Sequence, residues 1–150
     1  MHLHSLGNGF ILIGSWKRKS VGRVQAEIPI LVCIVEEDEP TLQRISSPLI
    51  SLSIQVKGFK TGAAFLLSGL ASRCDCLIVD ERASRPAVRE LVDAIRSAGL
   101  QTAILVVVSS TERSTPASDE FNVICNPLTE SALLEGLRKA LADRRGKTIH

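Results

Sequence analysis

The stretch Ile30-Leu31-Val32-Cys33-Ile34-Val35-Glu36-Glu37-Asp38-Glu39 decides the fold. Its first six residues are an unbroken apolar run rich in β-branched side chains, which fits a central strand covered on both faces. The run then gives way at once to four acids. A second segment repeats the pattern, because Cys76-Leu77-Ile78-Val79-Asp80 is another short apolar run ending on a carboxylate. If the two strands lie side by side and parallel, Glu36, Glu37 and Asp80 converge at one sheet edge. Three hard oxygen donors in one place invite a divalent cation.

From Pro29 onward β and α patterns alternate, which predicts an α/β domain with a parallel sheet and helices on both faces. Further strands are predicted at residues 54–59, 75–80, 102–108 and 122–125. A helix over 41–51 follows from Leu42, Ile45, Leu49 and Leu52 at helical spacing, with Pro48 expected to kink it or end it early. Residues 62–70 read as a short apolar helix. Pro86 near a helix start, Val88, Leu91, Val92 and Ile95 on one face, and Gly99 just past the end mark the clearest helix. Residues 109–120 are polar and contain Pro116, so they predict a loop with at most a short helix. Thr129 caps a last helix carrying Leu133, Leu134, Leu137 and Leu141.

The chain has 150 residues, 45% of them hydrophobic, which suits one α/β core and not two. Residues 1–28 mix His, Gly, Ser and Lys/Arg with little periodicity and predict a flexible basic extension before a domain over 29–143 and a tail over 144–150. His2 and His4 lack further ligands and receive no role, and Trp16 also lies in this extension. The net charge of +2 is concentrated there: four basic residues stand against Glu27, while the remainder holds fourteen basic and fifteen acidic residues. No broad basic footprint for nucleic acid exists. No run approaches the roughly 20 apolar residues of a membrane span, and the run Phe10 to Ile13 has its basic cluster on the wrong side for a secretory signal, so a cytoplasmic protein is expected. Cys33, Cys76 and Cys125 fall in predicted core strands and Cys74 precedes one, which suits reduced, buried thiols. The Cys74/Cys76 spacing is too short for a zinc pair, and a second pair is missing.

At the carboxyl ends of the predicted strands the chain presents Glu36 and Glu37, then Asp80, then Ser109, then Asn126 before Pro127. Acids, acid, hydroxyl and amide-Pro in that order resemble the receiver domain of two-component response regulators, over roughly residues 29 to 143. The resemblance implies a flavodoxin-like, doubly wound, five-stranded parallel sheet in the order 2-1-3-4-5, with about five helices, the fourth shortened. It implies that Asp80 accepts a phosphoryl group, that Ser109 hydrogen-bonds it, and that Asn126 stands at the position of the family's lysine. Glu36, Glu37, Asp80 and the backbone carbonyl of Arg82 would hold Mg2+. The implied partners are a sensor histidine kinase or phosphotransfer protein, another regulator, or a second copy in a homodimer. Nucleic acid and membrane are not among them. The nearness of the last helix to the end of the sequence leads us to expect a stand-alone receiver that is not a dedicated enzyme.

A carboxylate that attacks phosphorus needs the charge of both partners offset, which a bound cation does. The departures fall at functional positions. Asn126 brings no charge where the family has an ammonium. Val123 replaces the aromatic switch residue of the last strand. Glu37 is one methylene longer than the family's aspartate. The loop Glu81-Arg82-Ala83-Ser84-Arg85-Pro86 lacks the usual Met-Pro and Gly. A pseudo-receiver, which binds partners without phosphorylation, is therefore the alternative. A metal-dependent hydrolase built on the same acids lacks a general acid and a substrate cleft. Each member also has a plainer role: the acid run suits a solvated loop and the first turn of a helix, Asp80 a turn or cap, and Asn126-Pro127 a turn.

Overall fold

The β-branched runs form one sheet of five parallel strands: β1 (Leu31–Val35), β2 (Gln55–Phe59), β3 (Cys76–Asp80), β4 (Ala103–Val108) and β5 (Asn122–Cys125). Their order is β2-β1-β3-β4-β5, the expected 2-1-3-4-5. The computed structural model describes residues 2–5, 10–13, 30–83, 87–109, 121–125 and 128–148. Among them are four α-helices: α1 (Glu39–Ser51), α2 (Gly62–Ser68), α3 (Val88–Ser97) and α4 (Glu130–Thr148). The predicted loop or short fourth helix falls mainly in 110–120, outside the described residues, as do Pro86, Asn126, Pro127 and Trp16.

Alternation along β1 and β3 sorts the core into two layers. Cys33, Val35, Leu77 and Val79 join Phe65 of α2 and Leu91 and Ile95 of α3. Val32, Ile34, Cys76 and Ile78 meet Ile45 and Leu49 of α1 and Leu133 and Leu137 of α4. Strands buried on both faces in this way read as continuous apolar runs, so β1, β3 and β4 were legible without any polar alternation.

Pro48 does not end α1. Lacking an N–H, it forgoes only its own bond to the preceding turn, while Ile45 and Leu49 on either side are held against the sheet. The helix closes on Ser53 at φ 66, whose N–H donates to the Ile50 carbonyl at 2.8 Å. The apolar helix predicted over 62–70 stops at Ser68, where Gly69 at φ 78 admits a left-handed turn into a 3-10 segment, Leu70–Ser72. A glycine that the pattern did not single out, Gly136 of α4, lies where an added Cβ would come within 2.9 Å of Ile124 Cγ2. Its missing side chain lets α4 press onto β4 and β5.

All four cysteines lie outside any disulfide, as expected. Cys33, Cys74 and Cys76 are buried, but Cys125 is exposed, against the expectation of a core position. It ends the edge strand β5, which among the described residues has a neighbouring strand on one side only. Within the stretch read as an extension, His2–Ser5 and Phe10–Ile13 pair as an antiparallel hairpin, and its second strand runs beside β2. Among the described residues no helix is long and apolar enough to cross a membrane.

Candidate functional site

The strand order reverses between β1 and β3, and a crevice opens beyond their carboxyl ends at such a point. Val35 pairs with Val79, so the next residues, Glu36 and Asp80, stand across from each other. The cleft there is about 490 Å³ in volume and is lined by Glu36, Glu37, Asp38, Thr41, Asp80 and Arg82. Glu36 is only 4% exposed and Asp80 only 3%, so two carboxyl groups are buried at the mouth of an apolar sheet. Neither position is stable without a partner.

The two partner each other. Burial, and then the hydrogen bond shared with Asp80, push the Glu36 carboxyl up to about 7. Burial acts to raise Asp80 as well, but hydrogen bonds from Glu36 and from Arg82 outweigh it and hold Asp80 below the usual carboxylate range. Below about pH 7 the pair therefore holds its proton on Glu36 and its charge on Asp80. Glu36 Oε2 accepts the Asp38 N–H at 3.1 Å, whereas Oε1 is buried with no hydrogen-bond partner.

Asp80 is held from the other side by the 3-10 turn Glu81–Ala83. The Arg82 backbone N–H donates to Oδ1 at 2.9 Å. The same turn folds the guanidinium back over the carboxylate, with Nε 3.4 Å from Oδ1 and Nη2 3.2 Å from Oδ2. The Asp80 contact in turn raises the Arg82 guanidinium further above its ordinary value. The resemblance assigned Arg82 only a backbone carbonyl, and its side-chain role was missed. The available signal was a cation two residues past a strand-end aspartate, facing an acid run.

The acid run divides between the two roles proposed for it. Glu36 turns into the cleft, Glu37 is exposed at its rim, and Asp38 caps α1. The Asp38 carboxylate accepts the Thr41 backbone N–H at 3.1 Å and the Thr41 hydroxyl, and these bonds hold it below the usual range. Among the described residues no three His, Cys, Asp or Glu side chains assemble a cation shell. The donor chemistry nevertheless fits a hard cation: Glu36 offers a buried oxygen without a partner beside the ionised Asp80, and Glu37 lies at the rim. Ser109 follows β4 at the same edge, half-buried and outside the six lining residues. Val123 is half-buried in β5 and packs on the layer beneath α3. Asn126 lies outside the described residues.

No protein-family model and no curated protein matches the chain. Solved structures do. A response regulator receiver domain protein from Bacillus halodurans superposes with a TM-score of 0.66 at 23% identity, covering 75% of this chain and 97% of its own. The chemotaxis response regulator CheY4 of Vibrio cholerae gives 0.65 at 20% identity, with 76% and 100% covered. The signal receiver domain of an HD domain-containing protein from Pseudomonas fluorescens gives 0.66 at 19% identity, with 79% and 99% covered. Strand order, the placement of Asp80 at the end of β3 and these superpositions agree that the chain has the fold of response-regulator receiver domains.

Proposed function

We propose that the chain is a receiver module that accepts a phosphoryl group on Asp80 from a phosphohistidine of a histidine kinase or phosphotransfer protein, and that it signals through protein contacts. The observation that carries this reading is the pairing of Asp80 with Glu36 at the switch point of the sheet. It leaves Asp80 ionised at the mouth of a cleft that can admit a phosphoryl group. An Asp80 oxygen forms the new P–O bond as the donor's P–N bond breaks, and the electron pair leaves with the imidazole. The Arg82 backbone N–H fixes Oδ1 and so orients Oδ2 for attack. A magnesium ion held by Glu36, Glu37, Asp80 and the Arg82 carbonyl would offset the charge of the entering group. Ser109 and Asn126 are the positions from which the family contacts the phosphoryl oxygens.

The test is incubation with acetyl phosphate and Mg2+, read by intact mass. The protein should gain one phosphoryl group, and Asp80→Asn should gain none. A second reading, a pseudo-receiver that binds partners without phosphorylation, is favoured by one observation: Arg82 already engages both Asp80 oxygens. Absence of phosphate from both proteins, with partner binding indifferent to Asp80→Asn, selects that reading.

A further inference from the structure

Asp80 already has a counter-ion. The Arg82 guanidinium contacts both carboxylate oxygens in a fork, while the backbone of the same residue anchors Oδ1. Few arrangements satisfy a carboxylate more fully, and a cation that binds Asp80 must displace part of this one. The side chain that does this is 68% exposed, so it is free to swing into water, whereas Asp80 has nowhere to go. A second observation places a ligand need at the same spot: Glu36, 4% exposed and facing Asp80, keeps a buried oxygen unpaired while Arg82 sits on Asp80. The present arrangement therefore satisfies Asp80 and leaves one oxygen of its neighbour, Glu36 Oε1, without a partner. A divalent cation that takes the place of the Glu36 proton, which is released to solvent, would satisfy both.

We propose that the Arg82 side chain is a resident counter-ion that competes with a divalent cation for Asp80, so that its displacement is the step that opens the site. The inference rests on the reading of the cleft as a receiver's cation-dependent site. Arg82 thus acts as a positioning residue: it holds the resting carboxylate neutralised and sets the cation concentration at which the module becomes competent. Its short tether is part of the device. The 3-10 turn keeps the guanidinium within reach, so it returns when the cation leaves.

The test is calorimetric titration of the full chain with MgCl2, for the wild type, Arg82→Ala, Arg82→Gln and Arg82→Lys. The Arg82 side chain is exposed, so these variants should fold as the wild type does, and far-ultraviolet circular dichroism checks it. Affinity should tighten by about tenfold in both Arg82→Ala and Arg82→Gln, the scale of one charge-assisted contact removed from the competition. Arg82→Lys, which keeps the charge, should stay near the wild type. In the wild type the Arg82 Nε–H resonance should move to the position of a free guanidinium as Mg2+ saturates. Unchanged or weaker Mg2+ binding in both Arg82→Ala and Arg82→Gln overturns the proposal. So does a cation that binds without disturbing the Arg82 resonance. The two ideas separate cleanly: tighter Mg2+ binding without phosphoryl uptake defeats the proposed function and leaves the competition standing. Mg2+-dependent phosphoryl uptake with affinity indifferent to Arg82 does the reverse.

Discussion

Two aspartates bracket β3, and they have opposite fates. Asp75, just before the strand, is absorbed by the backbone: its Oδ2 accepts the Leu31 N–H at 2.9 Å, its own N–H donates to the Leu31 carbonyl at 2.9 Å, and its carbonyl accepts the Ala103 N–H at 3.2 Å. One residue thus ties the amino ends of β1, β3 and β4. Asp80, at the other end, meets another carboxyl group and an exposed arginine, and a buried oxygen beside it has no partner. The amino edge is closed by main-chain donors, whereas the carboxyl edge has spare polar capacity. Residue type alone does not set the two aspartates apart: Asp75 is bonded to the main chain of two neighbouring strands, whereas Asp80 takes one backbone N–H from its own turn and otherwise meets ionisable side chains.

The largest effect expected from this contrast is at the closed edge. Asp75→Ala leaves the Leu31 N–H without its side-chain acceptor and should cost about 1–3 kcal/mol in urea unfolding, with Mg2+ affinity unchanged. A cost near zero would erase the difference between the two edges.

The open edge should show itself through pH. Glu36, raised to about 7, binds its proton more tightly in the folded protein than in the unfolded chain, where the ordinary value is 4.5. Its contribution to stability is therefore complete below pH 4.5 and is lost as the pH rises through about 7. Asp80, depressed, has the opposite sign and acts only at lower pH, as its folded-state value is crossed. Stability should fall by an amount on the order of 1–2 kcal/mol between about pH 5 and pH 8, and Glu36→Gln should flatten that slope. Urea midpoints measured across this range decide it. An identical slope in Glu36→Gln would show that Glu36 carries no folding-linked proton.

The strands were legible because doubly buried β-branched runs leave few alternatives, whereas their order came from the resemblance carried by the residues at the strand ends. The juxtaposition of Glu36 and Asp80 followed from that order alone. What was not legible depends on geometry finer than periodicity. Pro48 stays inside α1 because packing of Ile45 and Leu49 outweighs one lost hydrogen bond. Cys125 is exposed because β5 is an edge, which a β-branched run does not reveal. Glu36 and Glu37 separate because the chain bends at Glu37, leaving one acid inside and the next at the rim. Arg82 reaches Asp80 only because Glu81–Ala83 closes as a 3-10 turn, and no pattern in that loop announces the turn.

The smallest predicted effect separates structural from chemical polar groups at the carboxyl edge itself. Connections from a parallel sheet enter their helices there, so some hydroxyls and carboxylates at this edge are caps with no other task. Thr61 is such a group: its Oγ1 accepts the Ala64 N–H at 3.0 Å, and its carbonyl accepts the Phe65 N–H at 3.2 Å, which starts α2. It does not line the cleft. Thr61→Ala should lower stability by about 1 kcal/mol, because an orphan helical donor loses its acceptor. Mg2+ affinity and the pH slope should not change. If Thr61→Ala altered the Mg2+ affinity as Arg82→Ala is expected to, the edge would respond as one coupled unit, and the division between a capping periphery and a chemical pair at β1 and β3 would fail.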